Sequence, residues 1–98
     1  MEYRKLGNLD VSVIGLGTLR TFDVTEEADL ASRRQIIDNL ISNNMNLIDS
    51  AAWYGAAEKA VGVTTEGRRD QFFLATKVRI EGKEAGEQQI AQSFENFN

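Results

Sequence analysis

Asn46-Leu47-Ile48-Asp49-Ser50-Ala51-Ala52-Trp53-Tyr54-Gly55 is the stretch on which the reading of this chain turns. It opens as a short apolar run and stops in polar and small residues, the way a buried strand ends. From Ala56 to Val61 small and apolar residues predict a short helix, and Gly62 ends it. A buried strand followed closely by a helix is half of a βαβ unit.

The pattern repeats on both sides. Toward the C-terminus, Gln71-Phe72-Phe73-Leu74-Ala75-Thr76-Lys77-Val78 predicts a second buried strand with a charge near its end. Gly86 to Phe97 follows as an amphipathic helix, with Ile90, Phe94 and Phe97 on one face. Toward the N-terminus, Ile36, Ile37, Leu40 and Ile41 form an apolar stripe on a helix from about Thr25 to Asn44. Thr25 offers a hydroxyl cap there, with Glu26 and Glu27 near the positive end of the helix dipole. Asn43-Asn44 can close the helix, because Asn tolerates the left-handed conformation. Ahead of it, Val13-Ile14-Gly15-Leu16-Gly17-Thr18 reads as a buried strand opening into a loop. Tyr3 to Leu6 and Val11 to Val13 flank the turn residues Gly7-Asn8-Leu9-Asp10 and predict a β-hairpin.

The order is thus a hairpin, about 2–14, then βα units at about 13–44, 46–62 and 71–97. No linker or repeat interrupts residues 1–98, which form one α/β unit with a parallel sheet. Such apolar strands suit either a sheet covered on both faces or the wall of a barrel. In both, ligands gather at the carboxyl ends of the strands. That places interest on Gly17-Thr18, on Asp49 to Tyr54, and on Lys77.

Composition narrows the chemistry. With no Cys there is no disulfide, thiolate ligand or cysteine nucleophile, and with no His there is no imidazole base or ligand. No metal site is expected. Fifteen acids against eleven bases, a net charge of −4, argue against a nucleic-acid surface. No apolar run reaches the ~18–20 residues of a membrane span. The expectation is a soluble, cytoplasmic chain with neither nucleic-acid nor membrane partners.

Asp49, Tyr54 and Lys77 are the chemically suggestive set. A lysine ammonium beside a phenol stabilises the phenolate, and an aspartate keeps the lysine charged and in place. Together they could protonate a carbonyl oxygen as hydride reaches the carbon. The same residues also fit a plain reading, with Asp49 as a helix cap, Tyr54 at a rim and Lys77 solvated. Gly15-Leu16-Gly17-Thr18 falls short of a dinucleotide fingerprint, because Arg20 occupies the third glycine position. Trp53 could stack on a flat ligand or fill a hole. Arg68-Arg69, beside Asp70, reads as a solvated loop.

Taken as a string, the chain resembles the N-terminal part of the aldo-keto reductases, a family of NADP-dependent (β/α)8-barrel carbonyl reductases. Tyr3-Arg4-Lys5-Leu6-Gly7 and Val11 to Thr18 are similar to that family's hairpin and first barrel strand. Asn46 to Gly55, with Glu58 and Gly62, is similar to its second-strand signature, and Phe73 to Val78 to its third strand. The resemblance implies a partial TIM barrel, with three of eight βα units. It implies that Tyr54 is the proton donor, Lys77 its tuner and Asp49 the partner of Lys77. Gly17, Thr18 and Asp49 would lie near the nicotinamide end of NADPH, and the substrate would be a small aldehyde or ketone. The family's catalytic histidine, at the end of its fourth strand, has no counterpart in these residues. The resemblance therefore implies a truncated member, inactive as an isolated chain. The alternative is a non-catalytic partial barrel that self-associates or binds a partner through its open sheet. A small α/β binding module with relic catalytic residues is a third reading.

Overall fold

The computed structural model describes residues 1–98. Strands β1 (Tyr3–Leu6) and β2 (Leu9–Ser12) pair antiparallel, with Tyr3 opposite Ser12 and Leu6 opposite Leu9. Only Gly7-Asn8 form the turn, and Gly7 has φ +62°, as a two-residue hairpin turn that begins on glycine requires. Leu9 and Asp10, expected in the turn, belong to β2.

Three βα units follow. They comprise β3 (Leu16–Gly17), α1 (Glu27–Ser42), β4 (Leu47–Asp49), α2 (Ala57–Thr64), β5 (Phe73–Ala75) and α3 (Lys83–Phe97). The strands lie parallel in the order β3-β4-β5, so each βα unit sets its strand beside the previous one. Leu16, Ile48 and Leu74 are in register, as are Gly17, Asp49 and Ala75. Asn46 fastens the hairpin under this sheet. Its side-chain oxygen accepts the Ser12 amide at 2.8 Å, and its amide nitrogen donates to the Asp10 carbonyl at 2.9 Å.

Phe22, Ile37, Ile48 and Val61 are fully buried at the centre of the core, which Leu40, Phe72 and Phe97 complete. Helices cover one face of the sheet only, giving a slab with extents of 40 × 37 × 23 Å. This is the wall of an unclosed barrel, not a sheet covered on both faces. Phe22, in the loop after β3, enters the core without any periodic signal in the sequence.

The remaining differences each have a physical cause. Strand β3 is only two residues long, and Val13 and Ile14, expected within it, lie ahead of it and are exposed. Helix α1 begins at Glu27, and no side chain caps it, so the expected Thr25 cap is not made. Its C-terminus follows expectation: Asn44 has φ +58°, its amide donates to the Ile41 carbonyl at 3.0 Å and the Met45 amide to Leu40 at 2.9 Å. That pair of bonds is a Schellman ending with Asn in the left-handed position. Gly62 does not stop α2, which runs on to Thr64. It marks where α3 crosses, since a Cβ there would run into the carbonyl oxygen of Asn96. That crossing also sets the rotation of α3. Ser93 and Phe97 turn inward, whereas Phe94, expected in the apolar face, is 76% exposed and Ile90 is exposed as well.

Candidate active site

The site grows from the alternation of the parallel strands. Ile48 and Leu74 pack toward the helices, which turns their neighbours Asp49 and Ala75 to the open face. Two residues beyond Ala75, Lys77 joins that face. Its Nζ donates to Asp49 Oδ2 at 2.7 Å and to the Ser50 carbonyl at 2.8 Å. It also sits 5.2 Å from the centre of the Tyr54 ring, where the π face favours a cation. The hydrogen bond to Asp49 holds the Lys77 ammonium above its ordinary value of 10.5. Partial desolvation opposes that rise, and the charge of Asp49 and the Tyr54 hydroxyl add to it. The structure thus brings together the three residues singled out in the sequence.

Tyr54 is fixed by the turn between β4 and α2. Its amide donates to the Ala51 carbonyl and its carbonyl accepts from the Ala57 amide, both at 3.1 Å. Gly55 follows with φ +60°, and a Cβ there would overlap the Asp23 carboxylate. Asp23 Oδ1 in turn accepts the Ala56 amide at 2.8 Å, placing an acid at the positive start of α2. Gly55 is therefore demanded twice, by its backbone angle and by the approach of Asp23. Trp53 neither fills a hole nor lies buried. Its ring meets Tyr54 edge-on at 5.8 Å, with the Arg79 guanidinium 5.4 Å from its centre.

Gly17 and Thr18 differ in what they offer. At Gly17 a Cβ would meet nothing within 4 Å, so the backbone is open to a ligand. Thr18 is fully buried. Its hydroxyl donates to the Asp49 carbonyl at 3.0 Å and bonds the Ser50 hydroxyl at 2.9 Å. Its side chain is a strut between two strand ends, and Gly17 is the member of the pair that faces outward. Asp49 Oδ2 is taken by Lys77, and Oδ1 has no protein donor.

Three residues with supporting roles, two at the site and one between helices, escaped the sequence reading. Glu58 is 2% exposed, and its carboxylate accepts from the Thr76 hydroxyl at 2.6 Å and from the Asn96 side chain at 3.2 Å. Its place four residues after Tyr54 in the signature was the available signal. Asp23 had none, because its partner lies 33 residues away in sequence. Arg68 is no solvated loop residue. It pairs with Asp38 of α1 and reaches the carbonyls of Arg34 and Thr64 at 3.4 Å, locking α1 to α2.

The arrangement is a phenol beside a hydrogen-bonded ammonium at the open carboxyl end of a parallel sheet. On the helix side of the sheet, between β5 and α3, lies an apolar groove of about 350 Å³, with Leu74, Val78, Ile90 and Phe94 among its walls and none of Asp49, Tyr54 or Lys77. No helix is long and apolar enough to cross a membrane.

Comparison with known proteins agrees with this geometry. The model of the Aldo/keto reductase family matches residues 13–97. Protein tas of Escherichia coli (strain K12) is 31% identical over 91 residues, which cover 80% of this chain and 25% of that protein. Protein tas of Shigella flexneri matches to the same extent. The chain therefore spans about a quarter of the length of the curated relatives it matches. Among solved structures, the aldo-keto reductase AKR11C1 of Bacillus halodurans, in its apo form, superposes with a TM-score of 0.72. It is 30% identical, over 99% of this chain and 33% of that one. PA4992 of Pseudomonas aeruginosa, assigned as an aldo-keto reductase, reaches a TM-score of 0.84 over 97% of this chain and 42% of its own. At 24% identity that likeness speaks for the fold alone.

Proposed function

The chain belongs to the aldo/keto reductase family, and on that premise we propose that Asp49, Tyr54 and Lys77 form the proton-donating end of an NADPH-dependent carbonyl reductase site. One observation carries the proposal: the Lys77 ammonium, 2.7 Å from Asp49 Oδ2 and 5.2 Å from the Tyr54 ring centre, at the carboxyl end of the sheet. The Tyr54 hydroxyl gives its proton to the oxygen of an aldehyde or ketone, and the phenolate left behind lies beside a cation. Lys77 is kept charged and stationary by Asp49 and by the Ser50 carbonyl. Proton transfer of this kind contributes typically 10²–10⁴-fold to a rate.

The residues present fit the reacting end of a nicotinamide cofactor. Asp49 Oδ1 is a free acceptor, and the open backbone at Gly17 lets a flat ring approach. When bound, reduced nicotinamide supplies the hydride. Asp49 and Gly17 would hold its carboxamide end, and Thr18 would keep those two strand ends in register from within. Nothing comparable is built here for the phosphates or the adenosine. In the proposal, then, these 98 residues supply acid chemistry and little binding, and alone they turn over carbonyls poorly or not at all. Cytoplasmic residence belongs to the same proposal.

Trp53, the single tryptophan, reports on the site because its ring touches Tyr54. NADPH titrated into the purified chain is expected to give no saturable quenching up to about millimolar, in keeping with a cofactor grip of little more than one end. Any aldehyde reduction that is detected should disappear in Tyr54→Phe. Reduction that survives this change refutes the assignment.

A second reading rests on the open sheet. Val13, Ile14, Val78, Ile80 and Phe94 are exposed, and both edges of the three-stranded sheet are unpaired. Apolar surface and free edges of this kind favour association. In this reading the chain is a non-catalytic partial barrel that pairs with a copy of itself or with a partner protein. It predicts concentration-dependent sedimentation, and a monodisperse monomer at micromolar concentration would count against it.

A further inference from the structure

Glu58 is the buried charged group that the proton-donating set leaves without a task. Both of its oxygens accept hydrogen bonds, and neither donor is a cation: Thr76 Oγ1 lies 2.6 Å from Oε2, and Asn96 Nδ2 lies 3.2 Å from Oε1. A carboxylate taken out of water is costly even when hydrogen-bonded. The start of α2, where Glu58 is in the first turn, offsets part of that cost through the helix dipole. Its partners are what single it out. Thr76 directly precedes Lys77, Asn96 belongs to the last turn of α3, and Glu58 itself lies four residues beyond Tyr54, in the first turn of α2. One carboxylate therefore ties together the three elements that converge on the site.

The end of β5 needs such a tie. The Ala75 carbonyl still accepts the Ser50 amide at 2.8 Å, but no backbone–backbone hydrogen bond holds residues 76–78. The next anchor is Gln89, whose side-chain oxygen accepts the Arg79 amide at 2.6 Å. Between these two points only the Thr76 hydroxyl and the Lys77 side chain itself fix the chain. Gly62, four residues after Glu58 on the same face of α2, lets α3 close in so that Asn96 reaches the carboxylate.

We propose that Glu58 is a positioning residue, and that the Thr76–Glu58–Asn96 latch fixes the end of β5 against α2 and α3 so that Lys77 is held on Asp49 beside Tyr54. The proposal rests on reading Lys77 and Tyr54 as the proton-donating pair. It adds that docking of α3 is felt at Lys77 through Glu58.

The test reads Lys77 directly, with no need for turnover. In the full 98-residue chain labelled in its lysine side chains, the Lys77 ammonium resonance is assigned by its loss in Lys77→Arg and followed with pH. Wild type should titrate above free lysine, and Asp49→Asn should remove most of the displacement. Thr76→Val keeps the shape of the residue and removes the hydroxyl. It should lose more than half of the displacement, whereas Thr76→Ser should keep it. Glu58→Ala should match Thr76→Val where it folds. Because Thr76 is exposed apart from its bonded hydroxyl, the valine variant is the decisive one. A folded Thr76→Val protein whose Lys77 titrates as in wild type overturns the latch, even if its melting temperature falls, because the role would then be structural only. If Asp49→Asn leaves Lys77 unmoved, the pairing behind the proposed function fails and the latch fails with it. Failure of Thr76→Val alone leaves that pairing standing.

Discussion

Alanine in place of glycine inside a helix ordinarily stabilises, by about 1 kcal/mol. Gly62→Ala should do the opposite. The new Cβ would collide with the Asn96 carbonyl oxygen and come within 3.0 Å of the Phe97 carbonyl carbon. Both obstacles are backbone of α3, so no side chain can rotate away and the helices must separate. Overpacking of this kind costs about 1–3 kcal/mol. After the propensity gain the net effect is a loss of up to about 2 kcal/mol, centred near 1. Gly86, in α3, supplies the internal control. A Cβ there meets only Val78 Cγ1 at 3.9 Å, an ordinary contact. Gly86→Ala should therefore gain about 0.5–1 kcal/mol from propensity alone. In a domain of this size each kcal/mol moves Tm by about 4–8 °C. Thermal melts followed by circular dichroism should show Gly62→Ala lower, by up to about 15 °C, and Gly86→Ala higher by a few degrees. If both substitutions raise Tm, α3 does not cross α2 at Gly62, and the route from Asn96 to Glu58 falls with that crossing.

Phe97→Ala should cost about 3 kcal/mol or more, as for a large core side chain, whereas Phe94→Ser should stay within about 0.5 kcal/mol of wild type in urea unfolding. Equal costs would mean that α3 is rotated from the orientation described. Arg68→Ala should lose about 1 kcal/mol, and Asp38→Ala less, because Arg68 keeps its two carbonyl partners when Asp38 is removed. Lys77 is held above its ordinary 10.5, so its ion pair contributes fully below that value and loses its effect as pH climbs through the higher folded one. The Tm gap between wild type and Lys77→Met should accordingly stay constant from about pH 6 to 9 and close only above about 10.5. A gap that closes near neutrality would contradict the pairing with Asp49.

The element order was legible because it depends on short-range pattern. The apolar runs around Ile48 and Leu74 are too short for helices, and their flanks carry turn residues. What escaped depended on which face another element covers. Val13 and Ile14 have the composition of core residues, yet they precede β3 and lie exposed, with no other element over them. The stripe Ile90, Phe94, Phe97 has the spacing of a single face. The close approach at Gly62 turns Ser93 and Phe97 inward instead, and that approach joins positions more than thirty residues apart in sequence. Glycine carries the same letter at a helix stop and at a helix crossing, so Gly62 could not be sorted from sequence alone.

The same distinction explains which parts of the site could be read. Asp49 and Lys77 are 28 residues apart, yet a parallel ladder with Asp49 opposite Ala75 makes their meeting almost a matter of counting. Tyr54 follows from one tight turn, whose demand for Gly55 is written in the sequence. The Glu58–Thr76 bond needs two facts at once, the rotation of α2 and the end point of β5, and neither is local. Glu58 showed only as one acid in a familiar spacing, and nothing in that spacing says that it is buried. The set of Asp49, Tyr54 and Lys77 is thus assembled by rules that act within one strand-turn-helix unit and its neighbour. The group that steadies it is assembled by helix packing, so changes far from the open face, at Gly62 or Asn96, should reach Lys77 before they reach Tyr54.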